Sequence, residues 1–210
     1  MMISQLITGI GLLTIAIVAF IYWRKSYFDE ERSKFYVIGI GIFFSLVGIY
    51  RFLFFYHDFF APDALGHLLW KISTGFLLIS LVILNFIIER YIYRKTKYII
   101  TIIGGILIIL FIIIVDPNTA RIIAQIGSLF LIIFPLLIHC IIAIRGSGWI
   151  RKKAIIISIG IIIIIIGTFG MFILEILGVP KRLTLIIGHP LSLLGYIIAG
   201  YGFLIDFITK

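Results

Sequence analysis

Long apolar runs separated by short polar segments dominate the chain. Seven of these runs are long enough to cross a bilayer as helices, because a span needs roughly 20 mostly apolar residues. They cover residues 3–23, 35–55, 67–88, 98–115, 122–144, 154–177 and 183–207. The connecting segments are short, so consecutive helices should lie side by side and antiparallel. The pattern predicts an all-α fold, a single seven-transmembrane-helix bundle over residues 1–210.

The basic residues between the runs predict the orientation of the bundle. The first, third and fifth connecting segments each hold four Lys or Arg residues, and Lys210 follows the last run. The other connecting segments hold only Arg121, Lys181 and Arg182. Because basic residues accumulate on the cytoplasmic side, we expect the N-terminus outside and the C-terminus in the cytoplasm. The basic pair Arg24 and Lys25 follows the first run, and no Lys or Arg precedes it. This favours a membrane span over a cleaved signal peptide.

Composition supports a membrane environment and excludes several classes of function. Hydrophobic residues make up 62% of the chain and charged residues 13%, whereas soluble domains have about 45–50% and about 25%. We therefore expect a multi-pass protein of the cell membrane, with the lipid bilayer around it. The net charge of +9 comes from clusters between the runs, so we predict no nucleic-acid partner. The single cysteine, Cys140, excludes an internal disulfide.

A polar stripe follows the third run from one end to the other. At 100° per residue the stripe residues fall within a narrow arc. They are His67, Lys71, Thr74, Asn85 and Glu89. Because polar side chains are costly in lipid, we expect this face to turn inward and the third helix to be central. The alternative is that the residues near the ends reach the headgroups and only Asn85 needs a partner.

Small residues and prolines indicate how other helices pack. Gly195 and Ala199 should let the seventh helix approach a neighbour closely, and Pro135 and Pro190 should kink the fifth and seventh helices. We expect the third and seventh helices to be the least exposed to lipid. Four of their polar residues should face protein: Thr74, Asn85, Ser192 and Tyr196. The isoleucine-rich blocks around residues 112 and 163 should face lipid.

Six polar residues in or near the predicted outer half are the candidate ligand-binding residues. They are Arg51, His67, Lys71, Gln125, Glu175 and His189. Ionisable groups at this depth usually turn toward a cavity or a charge partner. Four of the six should line one cavity open to the outside: Arg51, Lys71, Glu175 and His189. Glu175 should pair with one cation, and the other would favour a small anionic ligand. The alternative is a closed ion-pair network that ties the helices together.

The pattern leaves three functions open. We favour a receptor-like or sensory module that binds a small anionic ligand in an outward pocket and acts through a cytoplasmic or membrane protein partner. The alternatives are a small-solute transporter and a structural subunit of a membrane complex. An enzyme is the least expected class, because HExxH and GxSxG-type motifs are missing. We predict no catalytic residue, cofactor or metal site. Residues 183–209 contain no lysine, which excludes a retinal Schiff base on the seventh helix.

Overall fold

The computed structural model of the protein describes the backbone of residues 2–25 and 31–208. It describes their side chains apart from residues 2, 25, 31–33, 63, 64, 172, 175, 176, 181, 182, 207 and 208. Seven α-helices make up most of this part of the chain. They are α1 (Met2–Lys25), α2 (Glu31–Phe60), α3 (Asp63–Ile87), α4 (Ile99–Ile113), α5 (Pro117–Arg145), α6 (Gly148–Ile176) and α7 (Lys181–Ile208). A π-helical turn (Ile88–Ile92) and a 3₁₀ turn (Arg94–Thr96) join α3 to α4.

The helices have the length and composition of membrane spans. Six of them are long and apolar enough to cross a bilayer, and α4 is a shorter apolar helix of 15 residues. At 1.5 Å per residue α4 is about 22 Å long, which is less than the roughly 30 Å of a hydrocarbon core. The prediction of an all-α, seven-helix membrane bundle is confirmed.

The helices form a closed ring. Each helix packs against the next along the chain, α1 packs against α7, and α3 also contacts α5. Side chains of α2 reach α7 as well, and the rings of Phe44 and Tyr196 meet edge to face 6.4 Å apart. We call the end where α1, α3, α5 and α7 begin the pocket end. The opposite end, which carries most of the basic residues, is the basic end.

Burial identifies the central helices. In the apolar windows of α2 and α3, 56% of the residues are buried, against 44% in α7 and 28% in α1. The expectation for α3 therefore agrees with the structure, whereas α2 takes the place predicted for α7. The reason is that α2 packs against both α1 and α3 and also reaches α7. The four polar residues expected to face protein, Thr74, Asn85, Ser192 and Tyr196, are all buried. Ile112 is exposed as expected, but the block around residue 163 does not face lipid throughout, because Ile161 and Ile164 are buried.

Small residues bring α6 and α7 into backbone contact. On α7 they recur with the spacing of a heptad seam: Gly188, Ser192, Gly195, Ala199 and Gly202. A Cβ added at Gly160 of α6 would lie 2.5 Å from the Ala199 nitrogen, and one at Gly195 would lie 2.7 Å from the Ile164 nitrogen. Neither position has room for a side chain, so the close approach of the two helices depends on these glycines.

Candidate functional site

A polar cleft opens at the pocket end between α2, α3 and α5. Its volume is about 510 Å³. The residues that line it are His57, Asp58, Ala61, Gly66, His67, Trp70, Pro117 and Arg121. Most of these side chains come from the last turn of α2 and the first turns of α3 and α5. We call this cleft the outer pocket, since the distribution of basic residues predicts that its end faces the outside.

Aromatic and cationic side chains form one wall of the outer pocket. The His67 ring stacks on the Trp70 indole with the ring centroids 5.8 Å apart. The Arg121 guanidinium lies over the same indole, 5.8 Å from its centroid. Arg121 is held at the start of α5, where the Asp116 side chain accepts a 2.8 Å hydrogen bond from the Thr119 amide. Hydrogen bonds from the Thr119 hydroxyl and amide hold the pKa of the Asp116 carboxyl below its usual value. The wall therefore presents a fixed positive charge next to a flat apolar surface.

Asp58 connects the outer pocket to the interior. Its side chain is 21% exposed, and one carboxyl oxygen lies 2.9 Å from the Nδ1 atom of His57. The other oxygen lies 2.8 Å from the side-chain amide nitrogen of Gln5, on α1. Asp58 thus touches the pocket on one side and a buried residue on the other.

A buried polar network continues from Gln5 into the bundle. We define the buried network as Gln5, His189 and Arg51, which lie on α1, α7 and α2. The Gln5 amide nitrogen is 3.2 Å from Nε2 of His189, and Nδ1 of His189 is 3.1 Å from Nη1 of Arg51. All three residues are at most 4% exposed. Three helices are thereby joined by polar contacts at a depth of about 14 Å from the end of α2.

Arg51 is a buried cation with mostly neutral partners. Its guanidinium lies 5.3 Å from the centroid of the Tyr50 ring and beside the buried hydroxyl of Tyr196. Its Nε atom is buried and has no hydrogen-bond partner among the described residues. A buried charge is costly unless it is paired, so the contact with His189 matters for holding this residue in place.

Lys71 lies apart from Arg51 and His189, against α4. Its amino group donates hydrogen bonds of 2.8 Å to the carbonyl oxygens of Ile112 and Ile114. These carbonyls lie at the C-terminus of α4, where no further turn of helix satisfies them. A cation is stabilising at that position because it faces the negative end of the helix dipole. The geometry gives Lys71 a structural role.

Glu89 makes the matching contact at the other end of α4. Its carboxylate accepts hydrogen bonds from the backbone amides of Ile100 and Thr101, at 3.1 and 2.9 Å, and from the Thr101 hydroxyl. The polar stripe of α3 therefore holds both ends of its short neighbour. This is the face that was predicted to turn inward, and α4 occupies it.

Asn85, in the same stripe, binds a carbonyl that a proline leaves free. Pro135 has no N–H, so the carbonyl four residues earlier, that of Leu131, lacks its normal helical donor. The Asn85 amide donates to this oxygen over 2.8 Å. The contact joins the last turn of α3 to α5, and both residues are buried.

Two more of the predicted site residues, His67 and Gln125, are not brought to the buried network. His67 lies in the outer pocket, and Gln125 lies on α5 partly exposed, with its backbone carbonyl accepting from the Ser128 hydroxyl. The side chain of Glu175 lies outside the described residues. Of the four residues expected in one cavity, the structure brings Arg51 and His189 together and places Lys71 against α4.

Five residues of the site were not among the predicted ones: Gln5, His57, Asp58, Trp70 and Arg121. Gln5 carried a signal, since it is the one amide side chain in the first run and an amide in lipid needs a partner. Asp58 and Arg121 were treated as residues of connecting segments, although α2 continues to Phe60 and α5 begins at Pro117. Helices that extend past the apolar runs place these charges on ordered elements.

Neither metal-binding side chains nor similarity to known proteins indicates a function. No group of three or more His, Cys, Asp or Glu side chains suited to a metal ion occurs in the described part of the chain. No protein-family model matches the chain, and no curated protein or solved structure is significantly similar to it. The function therefore has to follow from the outer pocket and the buried network.

Proposed function

We propose that the protein is a receptor-like or sensory membrane module that binds a small anionic ligand in the outer pocket. The observation that carries the proposal is the position of Asp58, which lines the pocket and contacts the buried network through Gln5. A ligand that changes the charge around Asp58 would alter contacts between α1, α2 and α7. The signal would then pass to a cytoplasmic or membrane protein partner.

The chemistry of the pocket favours an anion. Arg121 carries a permanent positive charge and five N–H donors, which suit a carboxylate or phosphate group. The only carboxylate among the described pocket residues, Asp58, is paired with His57. A ligand with an anionic group and a flat apolar part would contact Arg121 and Trp70 together.

Binding can be measured through the fluorescence of Trp70. Replacing Trp23 and Trp149 by Phe leaves Trp70 as the single tryptophan, and inorganic phosphate and acetate serve as probe anions for protein in lipid nanodiscs. We expect a saturable change, and Arg121→Gln should raise Kd about tenfold or more, because a hydrogen bond to a charged group contributes about 1.5–3 kcal/mol. The matched control is Arg90→Gln. Arg90 also lies over aromatic rings, those of Phe86 and Tyr91, but at the basic end.

Two outcomes would count against the proposal. One is that neither probe gives a saturable signal. The other is that Arg90→Gln weakens binding as much as Arg121→Gln does, which would indicate unspecific attraction to a basic protein. Uptake of labelled phosphate into proteoliposomes would instead support a transporter, whose polar route was expected along the α3 stripe.

A further inference from the structure

A series of polar contacts runs from Asp58 through Gln5 and His189 to Arg51. The hydrogen-bond donors and acceptors in this series do not all match while Asp58 is ionised. A neutral imidazole has one N–H and one acceptor nitrogen, whereas a protonated one has two N–H groups. His189 has a polar neighbour at each nitrogen, Gln5 at Nε2 and Arg51 at Nδ1. The nitrogen of His189 that carries the proton therefore determines whether each neighbour has to donate or accept.

Arg51 sets the first restriction. A guanidinium only donates, so the 3.1 Å contact is a hydrogen bond only if Nδ1 of His189 accepts. The ring proton must then be on Nε2, which excludes the imidazolium. The Gln5 atom 3.2 Å from Nε2 has to be an acceptor, that is, the amide oxygen. The two ends of a side-chain amide have the same shape, and hydrogen bonding decides between them.

The restriction then passes from Gln5 to Asp58. The Gln5 atom that faces His189 is also 2.8 Å from a carboxyl oxygen of Asp58. With the amide oxygen in this position, two acceptors would face each other unless Asp58 carries a proton. A protonated Asp58 donates to Gln5, which also accepts from His189, and Arg51 donates to His189. Every contact in the series is then a hydrogen bond.

An ionised Asp58 reverses this arrangement. The Gln5 amide turns its nitrogen toward the carboxylate and donates its second hydrogen to Nε2 of His189. The ring proton moves to Nδ1, where it faces the N–H groups of Arg51, and the hydrogen bond between α2 and α7 is lost. In either orientation, the other end of the Gln5 amide has no hydrogen-bond partner among the described residues. That end therefore favours neither the protonated nor the ionised form of Asp58.

We propose that Asp58 is a proton-binding site in the outer pocket and that its protonation makes the Arg51–His189 hydrogen bond between α2 and α7. The proton is available from solvent, because Asp58 is partly exposed in the pocket. One protonation event at the surface thereby sets a contact in the interior of the bundle.

Charged and titratable groups from several helices surround Asp58. They are His57 on α2, His67 on α3, Arg121 on α5 and His189 on α7; the side chain of Asp63 lies outside the described residues. Arg121 lines the same pocket as Asp58. An anion bound at Arg121 would place negative charge close to the Asp58 carboxylate, and proton uptake at Asp58 would relieve that repulsion. This coupling rests on the proposed function, and it makes anion binding and proton uptake at Asp58 mutually favourable.

The tautomer of His189 reports the state of Asp58 directly. Nitrogen NMR of histidine-labelled protein in nanodiscs distinguishes Nε2–H from Nδ1–H rings, and His189→Gln identifies the signal. Without any added anion, we expect the Nε2–H form in acidic buffer and the Nδ1–H form in alkaline buffer. Asp58→Asn should keep the Nε2–H form throughout, because at every pH its NH2 group can donate to the Gln5 oxygen, and every contact from residue 58 to Arg51 is then a hydrogen bond. Asp116→Asn, which changes the pocket-end carboxylate that caps α5, is the control and should titrate like the natural protein.

The proposal is overturned if the His189 tautomer is the same at both extremes of pH, or if Asp58→Asn titrates unchanged. Gln5→Leu offers a second variant, which should uncouple His189 from pH by removing the link. In the natural protein, addition of phosphate should shift the transition of the His189 tautomer toward higher pH. A tautomer change with pH but no phosphate binding would retain the proton site and reject the proposed ligand function.

Discussion

At the scale of single residues, the polar positions inside the spans were predictable, but their partners were not. The 100° periodicity correctly indicated that Asn85 faces protein, since a buried amide in lipid must be satisfied. Its partner, the Leu131 carbonyl, is free only because of Pro135, on another helix. No spacing along the chain relates Asn85 to that carbonyl. The same holds for Gln5 and His189, which are 184 positions apart.

The contact between Asn85 and the proline-freed carbonyl gives a testable stability prediction. Asn85→Leu should lower the free energy of unfolding by about 1–2 kcal/mol, because it leaves the buried Leu131 carbonyl without a donor. In a Pro135→Ala background, the restored backbone N–H satisfies that carbonyl, so the same substitution should cost much less. Unfolding in mixed micelles of the four proteins of this double-mutant cycle measures the difference. Equal losses in both backgrounds would show that Asn85 acts elsewhere.

At the scale of helices, the apolar runs predicted every α-helix, with ends that differ by a few residues, but not the π-helical and 3₁₀ turns between α3 and α4. The run 98–115 corresponds to α4, Ile99–Ile113, while the run 35–55 lies inside the longer α2, Glu31–Phe60. Hydropathy indicates which residues contact lipid. The end of a helix depends instead on whether other groups can satisfy its terminal backbone N–H and C=O groups. The start of α4 follows two residues in the left-handed region, Lys97 and Tyr98, with φ of 49° and 65°. These conformations are uncommon for residues other than glycine, and hydropathy does not indicate them.

The support of α4 by α3 leads to a prediction about Lys71. Lys71→Met should lower stability by about 1–2 kcal/mol, because two carbonyls at the C-terminus of α4 lose a charged donor. Phosphate binding in the outer pocket should be unchanged. Thermal unfolding and the Trp70 titration measure the two effects, with the exposed Lys152→Met at the basic end as the control. If Lys71→Met instead weakens phosphate binding and leaves stability unaltered, Lys71 belongs to the binding site.

At the scale of the whole molecule, the sequence predicted a helical membrane bundle because its apolar runs have the length that a helix needs to cross lipid with its backbone hydrogen bonds satisfied. It indicated that α3 is central, but it could not show that α2 is more buried than α7, since both helices are apolar and both carry polar residues. The order of the helices around the ring decides that. For the same reason, Lys71 and Arg51 do not lie together as predicted. Two residues at equal depth in the membrane need not lie on facing surfaces of their helices.

The ends of α4 also bear on the topology of the molecule. Lys71 on α3 and Glu89 in the π-helical turn that follows α3 are 18 positions apart, which corresponds to about 27 Å, and they bind opposite ends of α4. A 15-residue helix together with its capping contacts therefore extends over most of a hydrocarbon thickness. We infer that α4 crosses the membrane despite its length, so that the segments before and after it lie on opposite sides.

Cysteine labelling of intact cells tests this arrangement. Cys140→Ala removes the only native cysteine, and single cysteines can then replace the exposed Lys95, Asn118 and Ser147. An impermeant maleimide should label the cysteine at 118 in intact cells, because the pocket end is predicted to face outside. Those at 95 and 147 should react only after the membrane is opened. Labelling at 95 and 118 from the same side would mean that α4 does not cross. Labelling at 95 and 147 alone would invert the bundle, and the outer pocket would then receive its ligand and its protons from the cytoplasm.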